Sequence, residues 1–419
     1  MADKALEGLR VVEFTDELGS YCGRLLADLG ADVVKVEPPG GGRERHTPPF
    51  YRAAAPGPDT SLAFWVHNTS KKSVVLDLEM ADGQAEARAL ALTADVVVED
   101  NAVGYMSAHG LGYESLRAEK PALVYTSITG FGQTGPHASY CYSDIVGQAM
   151  AGVMTLAGEP ADPPNIIYGQ QANVSASIQA AQATLLAVLH ADATGEGQLV
   201  DVSAQEAQSM NQETAMQQWD LQKLNRKRTG EKGALPLTLP GLGVYPTTDG
   251  YVMCFVIAPA GAGFPELVNW MREKGMAGDL DDEPYREICD NLNFGFFTQL
   301  ARDPARAAAM IPHLGHINTL LIEFFASMSA TEAYEAGQTR LLLQGIVSTP
   351  KDLAENAQLR ARHWFKQLEF DYLNAIIEFP GPPYRLSETP VQIARPPRLG
   401  EHTSEVLAAL AALSTGRTK

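Results

Sequence analysis

Cysteine is scarce in this chain, and its four cysteines are far apart. Cys22, Cys141, Cys254 and Cys289 form no CxxC pair in 419 residues. Metal sites and disulfide frameworks use cysteines at short, regular spacings, so neither a bound metal nor a disulfide is expected. Reduced thiols in the cytoplasm are the simplest interpretation.

Positive charge is also in short supply. The chain has 32 Lys and Arg against 50 Asp and Glu, a net charge of -18, which argues against nucleic-acid or anionic-membrane partners. The N-terminus has no apolar core of the signal-peptide type. No apolar stretch is expected to approach the ~18–20 residues that a transmembrane helix needs. The remaining composition, 45% hydrophobic and 20% charged, is typical of a globular protein long enough for two domains.

The first half of the sequence alternates short β-branched runs with helical patterns. Residues 9–14 and 31–36 are typical of strands, and residues 21–29 between them predict a helix closed by Gly30. Further runs lie at 73–78, 95–99 and 123–127. This alternation predicts an α/β fold with a parallel sheet covered on both faces, in which ligands bind outside the carboxyl ends of the strands.

The second half has a different pattern. A polar, basic segment at 222–233 indicates a boundary, and a turn followed by a strand is predicted within 245–256. Helical segments are expected from about 264 to 336, an extended Pro-rich tail from about 379, and a last helix at 404–413. No GxGxxG follows the first strand, so a dinucleotide site is not supported.

The loop 127–136 (SITGFGQTGP) directly follows a predicted strand. Its glycines, including Gly130 and Gly132, permit either a close backbone approach to a ligand or a tight structural turn. Both interpretations stay open on physical grounds.

This loop and six further segments in the family's order resemble blocks of the family III CoA-transferases, also called the CaiB/BaiF family. The other blocks include 25–38 (LLADLGADVVKVEP), 68–78 (NTSKKSVVLDL) and 194–203 (TGEGQLVDVS). The resemblance implies a Rossmann-like large domain built from both chain ends plus a smaller inserted domain, in an interlaced dimer. The domains are predicted at 1–225 (large), 226–345 (small) and 346–419 (return to the large domain). It also implies a coenzyme A thioester as substrate, and no metal.

The resemblance suggests five CoA-binding residues: Asn68, Lys71, Lys72, Gly130 and Gly132. Adjacent ammonium groups before a strand suit phosphate, although two neighbouring lysines are more commonly a solvated surface pair, and a loop Asn often bonds its own turn.

One basic residue typical of the family is missing. Where members have Asn-Phe-Arg-Pro-Gly after the fourth strand, Ala102 stands in the place of the arginine. Arg43 and Arg45 either compensate for it or are surface charges.

Asn173 occupies the position of the family's nucleophilic aspartate, 21 residues before Thr194. The family reaction passes through an anhydride on that carboxylate, which an amide cannot form. An Asn at the start of a helix is a good N-cap, and this structural role is the favoured interpretation. The α-methylacyl-CoA racemases of the same family need this Asp and a His, and the His position here is Ser143, so racemase chemistry is not expected.

These observations favour the non-nucleophilic subunit of a heteromeric family III CoA-transferase, whose related partner subunit carries the catalytic Asp. Two alternatives stay open. One is a homodimeric transferase whose catalytic Asp has been changed to Asn173, and the other is a non-catalytic acyl-CoA-binding protein. The expected ligands are an acyl-CoA and a carboxylic acid, with no nucleic acid and no membrane.

Overall fold

The computed structural model describes residues 4–230, 239–258, 260–300 and 302–416. The chain divides into two compact units. The first consists of Met1–Met154, Ile166–Gln217 and Ala357–Lys419, and the second of Thr155–Asn165 and Gln218–Asn356. The first unit therefore takes residues from both ends of the chain. The last residues of the basic segment 222–233, from 231 onward, lie outside the described residues.

A six-stranded parallel sheet forms the centre of the first unit. Its strands are β1 (Arg10–Phe14), β2 (Asp32–Glu37), β3 (Lys72–Val75), β4 (Val96–Glu99), β5 (Val124–Thr129) and β6 (Leu199–Ser203). The sheet order is β3-β2-β1-β4-β5-β6, and every neighbouring pair is parallel. The predicted α/β fold with a parallel sheet is confirmed, and five of the six strands lie within a few residues of their predicted positions. The sixth, β6, was not predicted as a strand.

The apolar runs that predicted these strands are buried on both faces of the sheet. Val11 and Val12 are successive residues of β1, so their side chains point to opposite faces, and both are fully buried. Val11 packs in one core with Cys22 and Ala176. Val12 packs in the other with Leu90. Two covered faces explain why the strands are continuous Val runs rather than alternating apolar and polar residues.

Helices and short strands complete the chain. Through the first half they are α1 (Ser20–Asp28), α2 (Leu62–His67), α3 (Ala81–Ala91), α4 (Tyr105–Ala108), α5 (Tyr113–Arg117), α6 (Asp144–Met150), α7 (Val153–Leu156), α8 (Gln171–Thr194), α9 (Ala204–Ser209) and α10 (Ala215–Gln222). The second half has β7 (Leu242–Pro246), β8 (Tyr251–Phe255), α11 (Phe264–Glu273), α12 (Tyr285–Asn291), α13 (Phe294–Leu300), α14 (Pro304–Phe325), α15 (Ala330–Thr339), β9 (Gln344–Ile346), α16 (Pro350–Glu355), α17 (Ala357–Ala361), β10 (Phe365–Phe370), β11 (Ala375–Pro380) and α18 (Thr403–Gly416). Short 3-10 turns lie at Arg43–His46, Met210–Gln212 and Asp371–Leu373.

Helix α8 corrects one expectation from the sequence. It has 24 residues and a hydropathy of 1.3 over its most apolar window, so by length and composition it reaches the range of a membrane span. A core helix meets the same criterion, and α8 packs against α1, β5 and α9. Its buried face is made of small residues such as Ala176 and Ala180. Thr184 adds a hydroxyl contact of 2.6 Å to Thr126 of β5.

The strand order places a crevice at one point of the sheet. On one side of β1 the strands follow in chain order as β2 and then β3, and on its other side as β4, β5 and β6. The direction in which the chain adds strands to the sheet therefore reverses between β1 and β4. In open α/β sheets, ligands bind outside the carboxyl ends of the strands at such a reversal. The loops that begin at Thr15 and Asp100 therefore border the expected site.

The second unit has a three-stranded antiparallel sheet in the order β7-β8-β9 and a helical core. The sequence predicted one strand after a turn here, but residues 242–255 form a hairpin of two strands, β7 and β8. Helices α11 to α15 occupy the predicted helical region. Trp270, Phe324 and Phe325 are nearly fully buried in their core.

The return to the first unit contains a hairpin that was not predicted. Strands β10 and β11 pair antiparallel, and their Phe370 and Phe379 pack with Trp65. The predicted last helix is confirmed as α18.

Candidate active site

A cavity of about 420 Å³ lies at the reversal point of the sheet. The loops after β1, β4 and β5, the segment before α6 and the first turn of α8 all contribute to it. The lining residues are Asp16, Glu17, Leu18, Arg43, Asp100, Asn101, Ala102, Val103, Thr129, Gly130, Ala138, Ser139, Tyr140, Cys141, Tyr142, Ser143 and Asn173. Asn173, Gly130, Ala102 and Ser143, four positions that the sequence had singled out, thus share one cavity.

The Asn173 side chain is 5% exposed, and both halves of its amide are bonded. The Tyr142 hydroxyl donates to its Oδ1 at 3.0 Å. Its Nδ2 donates to the Glu17 carbonyl at 3.4 Å and to Gln170 Oε1 at 3.2 Å. A carboxylate has no hydrogen to donate, so the Glu17 carbonyl facing Nδ2 favours an amide, whereas the Gln170 side chain can present either Oε1 or Nε2 and suits both residues.

The expectation that Asn173 caps its helix is wrong. Helix α8 begins at Gln171, two residues earlier, and its N-cap Gln170 makes no side-chain cap bond. The capping oxygen comes instead from Asp144 in α6. Its Oδ1 accepts from the N–H groups of Ala172 at 2.8 Å and Asn173 at 3.1 Å. A carboxylate at this end also complements the positive end of the helix dipole.

We expect Asp144→Ala to lower the free energy of unfolding by about 1–2 kcal/mol, because two N–H groups of the first turn of α8 lose their acceptor. Asp192→Ala is the matched control, since Asp192 is an exposed carboxylate near the other end of the same helix. It should change stability by less than about 0.5 kcal/mol. Urea denaturation of both variants checks this, and equal midpoints would contradict the capping role.

Tyr142 is one residue of this cavity that sequence reasoning missed. Its ring and hydroxyl occupy the space where Gly130 and Gly147 would carry a Cβ, so two glycines make room for it. The Phe131 ring also packs against it in a T-shaped arrangement. The sequence signal that could have revealed Tyr142 is the presence of glycine at both 130 and 147, because a tight turn explains Gly130 but does not explain Gly147.

Gly130 and Gly132 have different roles in the loop after β5. Gly130 lines the cavity and lies against Tyr142, which gives a physical reason for glycine there. Gly132 has a φ of +84°, which favours glycine on backbone grounds. The N–H of the next residue, Gln133, donates to the carboxylate of Asp201 at 3.1 Å. The loop therefore combines a tight turn with a close approach at Gly130, and CoA contact by either glycine stays a prediction.

Asp100 is a buried carboxyl on the cavity wall. It follows β4 and accepts from the N–H groups of Asp16 at 2.9 Å and of Gly19 at 2.8 Å. Burial raises its pKa from 3.8 to about 7, because these two backbone bonds only partly offset the loss of solvation. The nearby Asp16 carboxylate contributes to this rise in pKa, and Lys35 opposes it.

This raised pKa predicts a pH dependence of stability. Since the folded pKa lies above the unfolded value, the contribution of protonated Asp100 is complete below about pH 4 and is lost as the pH rises through about 7. The wild-type denaturation midpoint should therefore fall more between about pH 5.5 and about pH 8 than that of Asp100→Asn, which cannot ionise. Parallel pH profiles for the two proteins would contradict the assignment.

Asn68 and Lys71 lie together in the protein interior and do not line the cavity. The Lys71 ammonium donates to Glu13 Oε1 at 2.6 Å, to the Ser20 carbonyl at 2.7 Å and to Asn68 Oδ1 at 2.8 Å. Its three hydrogens are thus all used, and its side chain is fully buried. Asn68 Nδ2 donates to Glu44 Oε2 at 2.8 Å. In this arrangement a phosphate would have to displace an internal partner of Lys71.

Lys72 is placed differently from its neighbour. Its side chain is 36% exposed, 3.0 Å from Asp32 Oδ1 and 3.7 Å from Glu405 Oε1. The two adjacent lysines therefore point to different surroundings, one internal and one at the surface. Their assignment as phosphate contacts stays a prediction.

The two arginines considered as replacements for the missing one also differ. Arg45 is fully buried and forms two bonds to Glu37, of 2.6 and 2.8 Å, so it is an internal charge rather than a surface one. Arg43 lines the cavity together with Ala102, and its side chain is 73% exposed. Of the two, Arg43 is the cation available to a ligand.

No metal centre is formed by the described parts of the chain. Within residues 4–230, 239–258, 260–300 and 302–416, no three His, Cys, Asp or Glu side chains converge as ligands. The four cysteines are free thiols, three of them buried, while Cys141 is exposed at the cavity.

Known proteins share both this fold and this sequence pattern. The sequence model of CoA-transferase family III matches residues 6–403. The chain belongs to CoA-transferase family III. Subunit BbsE of succinyl-CoA:(R)-benzylsuccinate CoA-transferase from Thauera aromatica is 35% identical over 403 residues, which cover 95% of this chain and 92% of that protein. Succinate–glutarate CoA-transferase of Agrobacterium fabrum is 33% identical over 410 residues, covering 97% and 95%.

Solved structures agree with this family membership. A CaiB/BaiF family protein from Brucella suis superimposes with a TM-score of 0.82 at 27% identity, covering 97% of this chain and all of that one. The structure of Rv3272 from Mycobacterium tuberculosis gives a TM-score of 0.73 at 26% identity, with the same coverage. The family resemblance read from the sequence is confirmed.

Proposed function

We propose that this chain is the non-nucleophilic subunit of a heteromeric family III CoA-transferase, in which a related partner subunit carries the catalytic aspartate. The observation that carries the proposal is the side chain of Asn173. It lies in the cavity at the carboxyl ends of β1 and β4, and its neighbours accept hydrogen bonds from its amide. An amide at this position cannot form the anhydride of the family reaction, so the nucleophile has to come from another chain.

Membership of this family specifies the class of reaction. Such a complex would move CoA between carboxylic acids through a carboxylate on the partner, which forms an anhydride and then an enzyme-bound thioester. Subunit BbsE, at 35% identity, is named as one subunit of such an enzyme. We therefore propose, more specifically, that this chain is the E-type subunit of a succinyl-CoA:benzylsuccinate CoA-transferase. We also propose that the two subunits form an interlaced dimer in the cytoplasm.

Two of the five predicted CoA contacts are retained in this proposal. The Lys72 ammonium is partly exposed and its ion pairs with Asp32 and Glu405 lie at the surface, and Gly130 lines the cavity, so both can meet a ligand without breaking a buried ion pair. The cavity wall around Ala102 has few basic side chains, which is consistent with a subunit that does not carry the reaction itself.

Assays of the isolated chain distinguish this proposal from the alternative, a homodimeric transferase whose catalytic aspartate was changed to Asn173. We expect Asn173→Asp to leave the purified chain without CoA transfer between succinyl-CoA and an acceptor acid, because its carboxylate would face the Glu17 carbonyl. Wild type and Asn173→Ala serve as controls, and circular dichroism verifies that each is folded. A rate in Asn173→Asp within the ordinary range for enzymes, about 1–1000 per second, would favour the changed homodimer instead.

A further inference from the structure

Glu99, the last residue of β4, is a buried carboxyl without a cation. It is 4% exposed, and among the described residues no Lys, Arg or His forms an ion pair with it. Four other carboxylates that are buried to a similar degree lie 2.6 to 3.1 Å from a basic nitrogen, namely those of Glu13, Asp28, Glu37 and Glu44. A buried carboxylate is costly without such a partner, so a cation from outside the chain would stabilise the charged form of Glu99.

The hydrogen bonds of Glu99 orient its carboxyl but add no positive charge. The N–H of Asn101 donates to Oε2 at 2.8 Å, and the Ser127 hydroxyl donates to Oε1. Because an ionised Glu99 can only accept, the Ser127 oxygen is left to accept from Gln133 Nε2 at 2.6 Å. Burial raises the pKa of Glu99, since these hydrogen bonds oppose the rise only in part, and the Asp201 carboxylate adds to it.

A second cavity, of about 200 Å³, lies beside Glu99 between the sheet and helices α4 and α5. Its lining contains two carboxylates, Glu99 and Glu114, and two aromatic rings, Tyr113 and Tyr125, but no basic side chain of the described residues. The centroids of the two rings are 5.9 Å apart. The guanidinium of Arg117 lies 5.7 Å from the centroid of the Tyr113 ring and is not part of the lining. Negative charge beside aromatic rings favours a cation.

The lining also indicates which kind of cation fits. A metal ion needs several oxygen ligands at once, and no three His, Cys, Asp or Glu side chains converge in the part of the chain that the structure describes. A guanidinium or alkylammonium group donates N–H bonds to carboxylate oxygens and also packs against aromatic rings. Ala102 and Gly104 have little or no side chain, which leaves room for such a group.

We propose that this second cavity is a binding site for a small organic cation, a guanidinium or alkylammonium group, held by the Glu99 carboxylate against the rings of Tyr113 and Tyr125. The site is separate from the cavity around Asn173, although Ala102 lines both. It does not depend on a catalytic partner subunit. The same chemical group can arrive on a free small molecule or on the side chain of a bound protein.

Ligand-observed NMR on the full-length chain tests the proposal, with methylguanidinium as probe and methylurea as its uncharged counterpart at equal ionic strength. We expect methylguanidinium to bind at least about tenfold more tightly than methylurea, because only the cation pairs with Glu99. Glu99→Gln should weaken methylguanidinium binding about tenfold or more. Glu86→Gln, which removes an exposed carboxylate of α3 outside the cavity, is the matched control and should bind as the wild type does. Equal binding of the two probes, no binding of the cation, or unchanged affinity in Glu99→Gln would overturn the proposal.

Ala102→Arg is a second variant, at an exposed position that is expected to tolerate the change. The new guanidinium would fill the cavity from within the chain, so methylguanidinium binding should be lost while circular dichroism shows an unchanged fold. Binding as tight as in wild type would place the probe elsewhere and overturn the site. Acetyl-arginine methylamide, which carries the same group on a peptide backbone, distinguishes the two sources. Binding of both probes supports the site with a protein side chain as its occupant, and binding of methylguanidinium alone supports it with a free small cation.

Discussion

Lys71→Met is expected to lower the free energy of unfolding by about 3–5 kcal/mol, whereas Lys72→Met should lower it by no more than about 1 kcal/mol. The two residues are adjacent and carry the same charge, but only Lys71 is inside. Its removal leaves the fully buried Glu13 with a weaker partner, Lys35, at 3.4 Å. The Ser20 carbonyl and Asn68 also lose a donor. Lys35 compensates in part, so the lower end of the range is favoured.

Guanidinium denaturation of both variants measures the difference, and calorimetry with CoA separates stability from binding. Because Lys72 keeps its role as a proposed phosphate contact, Lys72→Met should remain folded and bind CoA more weakly. If Lys71→Met is as stable as Lys72→Met, the buried contacts that Lys71 makes do not stabilise the fold as described.

The second large effect is expected in the assembled complex. Replacing the partner's aspartate at the matching position by asparagine should lower turnover by about ten-thousandfold or more, as the loss of a covalent nucleophile does in other enzymes. Asn173→Ala in this chain should change turnover less than about tenfold, since Asn173 forms no covalent bond in the reaction. Steady-state rates of CoA transfer by the two complexes measure this. A comparable loss from Asn173→Ala would mean that this cavity is itself a reaction centre.

The parallel sheet could be read from the sequence because its strands are buried on both faces. Continuous Val runs such as those at 11–12 and 96–98 identify such strands directly. Strand β6 lacks this signal, because Leu199 is exposed at its start and Asp201 interrupts it. The hairpin of β10 and β11 has exposed residues such as Ile376 on one side, so its pattern is weak as well.

The site was predictable in its position but not in its contacts. Counting from Thr194 located Asn173, and the Gly-rich loop located the strand end beside it. The capping oxygen of Asp144 lies 29 residues away in the chain, so nothing local to Asn173 indicated it. Which of Lys71 and Lys72 points inward depends on the packing of β3 against its neighbours, and two identical residues in succession give no sequence signal for that choice.

The most direct test of the central claim is the native mass of the protein, purified from its own host through a tag on this chain. The account predicts a complex with a second, similar-sized chain of the same family, carrying aspartate at the position that matches Asn173. A homodimer of this chain alone that transfers CoA would contradict it.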